Sequence, residues 1–447
     1  MQRSILILCV SLFIFCGCSM NAYQNIALPN GNTSNTNMKA SYIVENRVNS
    51  NKDTLFILAL SGGGSRAAYF SSLVMLSLEK YKLLNEVDVI SSVSGGSLPA
   101  AYYAISKDKD NANSGDRVWD DETIKNLISK NYILRWLGNW FWPSNMMKYW
   151  VTAYNRSDIM SQTFADNMFD NTISGIDYTF NDINNDRPNI IINSTNATTG
   201  KFSKVFSFTK EDFDGINSNI GEYRISDAVM SSASFPGVFN FMNLKDYAYD
   251  KYVHVFDGGN SDNLGLKSVF IVLQQNKEKY KKIVVVLVDS FIDSSGISKD
   301  KADGRSFLDH FIDSNFMDSF DSLLSANRMS NVENMVRELK GSYYAGKQVI
   351  FYHIKFDNVK MFESDIAGSN LYGKLQNIKT DFKINDDGIT SLEVATKFLM
   401  QNDNVCLDKI NNIVSGTNRQ RDSVNSIYCT WPQVKEDKTL VDIGMVQ

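Results

Sequence analysis

The chain has 447 residues, of which 43% are hydrophobic and 21% are charged, and its formal net charge is −5. This composition is that of an ordinary globular protein and excludes both an intrinsically disordered and a collagen-like chain. The acidic balance offers no basic surface for nucleic acid, so we expect no nucleic-acid partner.

The N-terminal residues indicate a targeting segment. Residues 1–3 include an arginine, residues 5–15 form a mainly apolar run, and Cys18 closes the sequence Phe-Cys-Gly-Cys. The run is too short to span a bilayer but has the length of a signal-peptide core. Its ending resembles a bacterial lipobox, in which the cysteine receives lipid. We therefore predict a lipoprotein signal peptide over residues 1–18 with Cys18 as lipid anchor. A plain cleaved signal and an uncleaved apolar tail are the alternatives.

Residues 19–50 are rich in Asn, Ser and Thr and lack apolar periodicity, which predicts a flexible tether. Acyl chains on a cysteine would hold the protein at a membrane, since each buried CH₂ contributes about 0.8 kcal/mol. We expect an exported, membrane-anchored lipoprotein at a bacterial outer membrane or cell surface. Export would permit a disulfide between Cys406 and Cys429, although their spacing does not prove one.

Six runs of strand length follow, and they are mainly apolar. They lie at residues 54–60, 87–91, 189–193, 252–256, 283–288 and 349–354, with helical patterns between them at residues 65–81, 100–104 and 322–340. Apolar strands that alternate with helices indicate a sheet covered on both faces, which is an α/β fold. The chain has no internal repeat and no strong interdomain linker after residue 50.

A tight loop of three glycines, Gly62, Gly63 and Gly64, follows the first strand and precedes Arg66. Glycines permit positive φ and close backbone approach, so their N–H groups can face a developing oxyanion. A phosphate-binding loop is less favoured because the lysine of the nucleotide-binding pattern is missing. An ordinary strand–helix turn remains the simplest alternative. Arg66 would orient an acyl carbonyl or phosphate, or would only pair with a carboxylate.

Ser94 stands where the second strand ends and a helix begins, with Ser92, Gly95 and Gly96 beside it. A nucleophile elbow needs small residues two positions before and after the serine, because the turn is so tight. The helix N-terminus behind the serine offers N–H groups for negative charge. Taken alone, the pattern is more often an ordinary glycine-containing turn, and Ser92 departs from the usual glycine.

Asp257 comes directly after the strand at residues 252–256 and is followed by two glycines. A serine needs a base, and aspartate is a weak one unless burial raises its pKa above the usual 3.9. A turn aspartate that caps the next loop is the alternative. His254 lies three residues earlier on the strand and so faces the other side, which ranks a Ser-His-Asp triad second. The three histidines have no metal-binding spacing, so we expect no catalytic metal.

These motifs together resemble those of patatin-like phospholipases, whose marks are a GGGxR loop, a GxSxG-type serine and a DG[GA] aspartate. Three further stretches fit the family, at residues 193–200, 228–237 and 262–265, and the resemblance covers roughly residues 54–290. It implies a three-layer α/β/α fold with a mostly parallel central sheet. We assign residues 51–400 to such a catalytic domain and residues 401–447 to a C-terminal extension.

The resemblance also implies a mechanism. Ser94 would be the nucleophile and Asp257 its base, without metal or cofactor, and Gly62, Gly63, Gly64, Arg66 and Gly95 would form the oxyanion hole. The substrate would be a membrane phospholipid or another acyl ester, cleaved as by a phospholipase A or lysophospholipase. An acyltransferase with the same dyad and a non-enzymatic surface-lipoprotein binding module are the alternatives. The oligomeric state is left open.

Residues 136–150 read WLGNWFWPSNMMKYW and contain four of the six tryptophans. Trp and Tyr favour bilayer interfaces, and Met and Phe add apolar surface. We therefore expect a lid or membrane-facing insertion within residues 130–165. An insertion packed onto its own core is an equal alternative.

Overall fold

The computed structural model describes residues 22–29, 38–45, 53–198, 204–292, 314–362, 370–416 and 426–432. The predicted signal peptide, its Cys18 and the rest of the predicted tether lie outside these residues. Nine strands are present in the described ranges: β1 (Thr54–Leu60), β2 (Val89–Val93), β3 (Asn189–Asn196), β4 (Val205–Phe208), β5 (Met242–Asp246), β6 (Lys251–Asp257), β7 (Lys282–Asp289), β8 (Gln348–Lys355) and β9 (Tyr428–Cys429).

Fourteen α-helices accompany these strands in the described part of the chain. They are α1 (Gly64–Lys80), α2 (Ser97–Ile105), α3 (Asp121–Ile128), α4 (Tyr132–Trp140), α5 (Pro143–Val151), α6 (Arg156–Phe164), α7 (Lys210–Gly215), α8 (Ile225–Ala233), α9 (Gly259–Asp262), α10 (Leu266–Asn276), α11 (Ser314–Leu339), α12 (Leu371–Gln376), α13 (Asp386–Leu399) and α14 (Val405–Ser415). None of the helices in the described ranges is long and apolar enough to cross a bilayer.

The strands form one mixed sheet in the order β5-β6-β3-β2-β1-β7-β8-β9, with β4 paired to β3. Neighbours from β3 through β2, β1, β7 and β8 to β9 are parallel. The strands β4, β5 and β6 join by antiparallel pairings. Parallel strands need covered faces, which explains why β1 is apolar and buried along its whole length.

Alternate residues of β1 supply two separate cores, one on each face of the sheet. Phe56, Leu58 and Leu60 join the larger core, with side chains from α1, α2, α6, α8 and α13. Leu55 and Ile57 point the other way and pack with α10 and α11. The predicted three-layer α/β/α fold with a mostly parallel sheet is therefore confirmed.

Two stretches of the predicted tether, residues 22–29 and 38–45, differ from a free linker. The buried Asn25 amide donates to the Ser218 hydroxyl at 2.9 Å. Val44 is buried in the core on the α10 side of the sheet. The Asn25 contact is polar and so leaves no apolar pattern, whereas the alternating buried residues Met38, Ala40, Tyr42 and Val44 form a short period-two pattern that the tether prediction overlooked.

Strand register brings the ends of β2 and β6 together. Val93 of β2 pairs with Asn193 of β3, and the next residue of β3, Ser194, pairs with Asp257 at the end of β6. Because β6 runs antiparallel to β3, the carboxyl end of β6 does not share an edge with the carboxyl ends of the parallel strands. The pairing of Asp257 with Ser194 is what places it beside Ser94. Ser94 and Asp257 are thereby neighbours although they are far apart in sequence.

Candidate active site

Ser94 occupies a strained turn between β2 and α2. The backbone passes from the extended Val93 into a short 3₁₀ turn over Ser94–Gly96. The φ angle of Ser94 is 48°, in the left-handed region that non-glycine residues seldom adopt. Its N–H donates to the Ser232 hydroxyl at 2.8 Å, and that hydroxyl donates to the Asn193 carbonyl at 2.5 Å. This relay from α8 to β3 holds the turn in place.

The Ser94 hydroxyl donates to the carboxylate of Asp257, with Oγ and Oδ2 2.9 Å apart. The other carboxylate oxygen accepts the Gly259 N–H at 2.8 Å. Ser94 is only 7% exposed and Asp257 only 6% exposed. Burial raises the pKa of Asp257 to about 6, although both hydrogen bonds favour its charged form. Near neutral pH the carboxylate is therefore ionised and can accept a proton from the serine.

The glycine loop lies directly above this pair. A side chain at Gly62 would place its Cβ 3.2 Å from the Cβ of Ser94, and one at Gly95 would meet the Gly64 carbonyl oxygen at 2.0 Å. Gly63 and Gly64 have φ angles of 140° and 59°, so both positions need glycine. The loop and the serine turn can approach this closely only because these residues have no side chains.

The N–H groups of the loop are not equivalent. The Gly62 N–H donates to the Asn263 carbonyl at 2.9 Å, so it is already engaged. The N–H groups of Gly63 and Gly64 have no acceptor among the described residues. Of the predicted oxyanion donors in the loop, Gly63 and Gly64 are therefore available, while Gly62 contributes space beside Ser94.

Arg66 is buried and holds the loop from behind. Its guanidinium donates to the Ser290 carbonyl at 2.9 Å, to the Ile378 carbonyl at 2.5 Å and to the Thr380 hydroxyl at 3.2 Å. The Ser290 hydroxyl in turn donates to the Gly62 carbonyl at 2.9 Å. Three of the five N–H donors of Arg66 are thus bonded to protein acceptors, which favours a positioning role over the predicted role as an oxyanion ligand.

A small cavity opens over the serine. It is lined by polar and apolar groups from six segments: Gly62, Gly63, Arg66, Ser94, Phe235, Asp257, Asn260, Asn263, Phe291, Ile292 and Thr380. Sequence reasoning missed the supporting residues Ser232, Asn193 and Ser290. Their roles depend on contacts between distant segments, and only Asn193 and Ser232 lay in stretches that matched the family pattern.

Neither of the histidines that the structure describes lines this cavity. His254 bonds to the Asn243 side chain on β5. The Nε2 atom of His353 lies 2.8 Å from Oδ2 of Asp289, and its Nδ1 atom lies 3.0 Å from the Tyr428 hydroxyl oxygen. His310 lies outside the described residues. Within the described ranges, no group of three or more His, Cys, Asp or Glu side chains could hold a metal ion.

A tight turn thus presents the buried Ser94 to the buried Asp257 beneath the glycine loop. Residues 58–270 match the model of the patatin-like phospholipase family. The matched range includes the glycine loop, Ser94 and Asp257. No curated protein matches the sequence.

Two solved structures are similar to parts of the chain. VipD from Legionella pneumophila is 13% identical with a TM-score of 0.27, and the match covers 48% of this chain and 47% of VipD. This chain thus spans about half the length of that protein. ExoU of the type III secretion system of Pseudomonas aeruginosa, solved with SpcU, is 12% identical with a TM-score of 0.26. That match covers 81% of this chain and 74% of the other.

Proposed function

We propose that this protein is a serine acyl hydrolase that cleaves the acyl esters of lipids, with Ser94 as nucleophile and Asp257 as base. One observation carries the proposal: the hydroxyl of a strained strand–helix serine lies 2.9 Å from a buried carboxylate. Strain at a non-glycine residue persists only where the surrounding structure enforces it, and such sites cluster where chemistry occurs. The family match over residues 58–270 supports lipid esters as substrates.

The reaction follows from the positions of the groups. Asp257 accepts the Ser94 proton while Oγ attacks the ester carbonyl carbon. The negative charge on the carbonyl oxygen is met by the free N–H groups of Gly63 and Gly64, with the Gly95 N–H at the start of the turn. When the carbon–oxygen bond of the ester breaks, protonated Asp257 gives its proton to the departing alkoxide. Water then attacks the acyl-serine by the same route and releases the fatty acid.

We further propose that the substrate is a membrane phospholipid or lysophospholipid and that the protein acts outside the cytoplasm as a lipoprotein anchored through Cys18. The disulfide between Cys406 and Cys429 supports export, because such bonds persist in oxidising compartments. The lipobox-like ending of the N-terminal run supports the anchor. Metabolic labelling with a fatty-acid analogue tests it, since Cys18→Ser should abolish the label.

A fluorophosphonate probe tests the nucleophile. The wild-type protein should be labelled and Ser94→Ala should not, because the probe reacts only with an activated serine. Ser72→Ala is the matched control: Ser72 is also buried, but its hydroxyl donates to the Ala68 carbonyl within α1. A folded wild-type protein that never reacts, or a Ser94→Ala protein that still reacts, would refute the proposal.

Mass spectrometry of the products from defined phospholipids tests the reaction class. Free fatty acid and lysophospholipid in equal amounts are expected from a phospholipase A. An acyl group found on a second lipid or alcohol, in place of fatty acid, would instead identify a transferase.

A further inference from the structure

We propose that the aromatic hairpin, formed by α4 and α5 over residues 132–151, docks on the surface of a phospholipid bilayer and brings the candidate active site to its substrate. The inference rests on the proposed function for its substrate, but the docking itself is a separate property. The sequence alone left this segment open between a membrane-facing insertion and a self-packed one.

The hairpin divides its large residues into a packed set and an exposed set. Trp136 is 9% exposed. The centroid of its ring lies 4.9 Å from that of Trp140 and 5.5 Å from that of Phe239, in edge-to-face packing. Trp142 and Trp150 are 65% and 76% exposed. The exposed set also includes Leu134, Phe141, Met146, Met147 and Val151. An apolar patch of this kind, on one hairpin, marks an interaction surface.

The buried side of the hairpin rests on the two segments that border the candidate site. Trp136 packs on Phe239, whose N–H donates to the carbonyl of Phe235 in the cavity wall. The Tyr132 N–H donates to the Phe382 carbonyl at 3.0 Å, two residues after Thr380 of the same wall. These direct contacts connect the hairpin to the cavity wall. A bilayer that binds the exposed side of the hairpin would therefore lie close to the cavity.

The chemistry of the exposed side fits a lipid surface. Tryptophan, methionine and phenylalanine favour the boundary between headgroups and acyl chains. The sequence has no acidic residue between Glu122 and Asp158, although the whole chain has a net charge of −5. Arg135 and Lys148 are exposed on the hairpin and can contact anionic headgroups. A second copy of the same basic hairpin would instead bring like charges together.

Fluorescence quenching by lipids brominated in their acyl chains tests the docking. The full chain carrying Ser94→Ala is mixed with vesicles of phosphatidylcholine and phosphatidylglycerol, so the lipids stay intact whether or not the wild type hydrolyses them. Bromine quenches a tryptophan only on contact, so the signal does not depend on how the chain is anchored. We expect strong quenching, and we expect most of it to disappear in Trp142→Phe/Trp150→Phe.

A matched control places a tryptophan in the helical layer on the opposite face of the sheet from the hairpin. Phe270 on α10 is 42% exposed, and α10 belongs to the core on the opposite face of the sheet. Phe270→Trp, added to the chain that lacks Trp142 and Trp150, should not restore quenching.

Three quenching results would overturn the docking proposal. These are no quenching with any vesicle, equal quenching without the two tryptophans, and quenching at position 270. The proposal would also be overturned if the aromatic hairpin bound a second copy of the chain. That result would be a dimer that Trp142→Ser/Trp150→Ser dissociates, together with no quenching by lipid. If the wild-type protein does not hydrolyse lipid esters, the proposed function is refuted, but the quenching result still decides the docking proposal.

Discussion

The backbone of Ser94 holds a left-handed conformation that costs about 1–3 kcal/mol for a residue with a side chain. The hydrogen bonds from its N–H to Ser232 and from its hydroxyl to Asp257 offset this cost. Both partners come from segments far away in sequence. The strain thus fixes the direction of the hydroxyl before any substrate arrives.

The pH dependence of turnover should report Asp257. Burial raises its pKa to about 6, and the protonated carboxyl cannot accept the Ser94 proton. We expect kcat/KM for a soluble ester to fall about tenfold per pH unit below that value and to level off above it. His254→Gln is the control, because it removes the other ionisable imidazole on β6, which bonds to Asn243 and does not line the cavity. A profile that is flat in this range, or that disappears in the control, would contradict the assignment.

Gly95→Ala should remove most activity. The added Cβ would lie 2.0 Å from the Gly64 carbonyl oxygen, so the loop or the serine turn must shift. Displaced oxyanion donors cost a factor of roughly 10²–10³ in kcat. Gly215→Ala is the matched control, since no atom lies within 4 Å of its added Cβ. Ester hydrolysis and circular dichroism measure both variants, and near-normal turnover of Gly95→Ala would count against the proposed oxyanion site.

At the residue scale, the sequence predicted the serine, the aspartate and the glycine loop because each motif sits at a strand end with its own local signature. It did not predict that the Gly62 N–H and the Arg66 guanidinium are already bonded to protein groups. Those bonds join residue 62 to Asn263 and residue 66 to Ile378. Contacts of such separation leave no local pattern in the sequence.

The carboxyl end of β7 is an element that links the site to a buried ionic network. Ser290 and Phe291 follow the strand; one supports the glycine loop and the other lines the cavity. Asp289, just before them, bonds to Arg328 of α11 and to His353 of β8. Although burial raises the pKa of Asp289, the Arg328 guanidinium and His353 hold it well below its usual value.

Arg328→Met should destabilise the fold by about 3–5 kcal/mol, because it leaves the buried Asp289 carboxylate without its cation. Urea unfolding gives the free-energy difference. Lys125→Met is the matched control: its pairs with Asp121 and Glu393 lie at the surface, so its loss should cost less than about 1 kcal/mol. Equal effects of the two substitutions would show that Asp289 does not depend on Arg328.

His353 should contribute to the loss of stability in acid. Burial lowers the pKa of His353 to about 4, whereas a histidine in the unfolded chain binds a proton below about pH 6.5. The unfolded state therefore binds more protons as the pH falls from about 6.5 to about 4, and the free energy of unfolding decreases over that window. His353→Gln should flatten this part of the curve in urea titrations. An unchanged slope would assign the effect to another group.

Among the elements, the long strands and α1 were predicted from their residue patterns with errors of a few residues, whereas α11 begins at Ser314, well before the helix predicted at residues 322–340. The strand predicted at residues 87–91 lies at Val89–Val93, and the helix predicted at residues 65–81 lies at Gly64–Lys80. The short strands β4, β5 and β9 were not predicted. They are held by pairing with β3, β6 and β8, so their own residues carry little signal.

On the scale of the whole molecule, a disulfide joins Cys406 on α14 to Cys429 on β9. It closes a loop of 23 residues and ties the edge strand to the body. The double variant Cys406→Ala/Cys429→Ala should lose about 3 kcal/mol in the free energy of unfolding, mainly because the unfolded chain gains freedom. Wild type treated with reductant should match the variant. A variant as stable as the oxidised wild type would refute the expectation.

The sequence left this bond undecided, since spacing alone cannot show which cysteines meet. It also assigned residues 22–29 and 38–45 to a tether, whereas the first stretch is attached through the buried Asn25 and the second through alternating buried side chains from Met38 to Val44. The layered α/β architecture was predictable because it follows from the alternation of strands and helices. Long-range attachment of irregular segments was not.

The separation of charge along the chain has a consequence for orientation. An acidic protein whose stretch between Glu122 and Asp158 contains only basic charges has an uneven electric field. Near an anionic membrane this field should orient the molecule with its basic side toward the lipid. The effect acts only within a screening length of about 10 Å at 0.1 M salt. Added salt should therefore slow arrival at the membrane more than it shortens residence there.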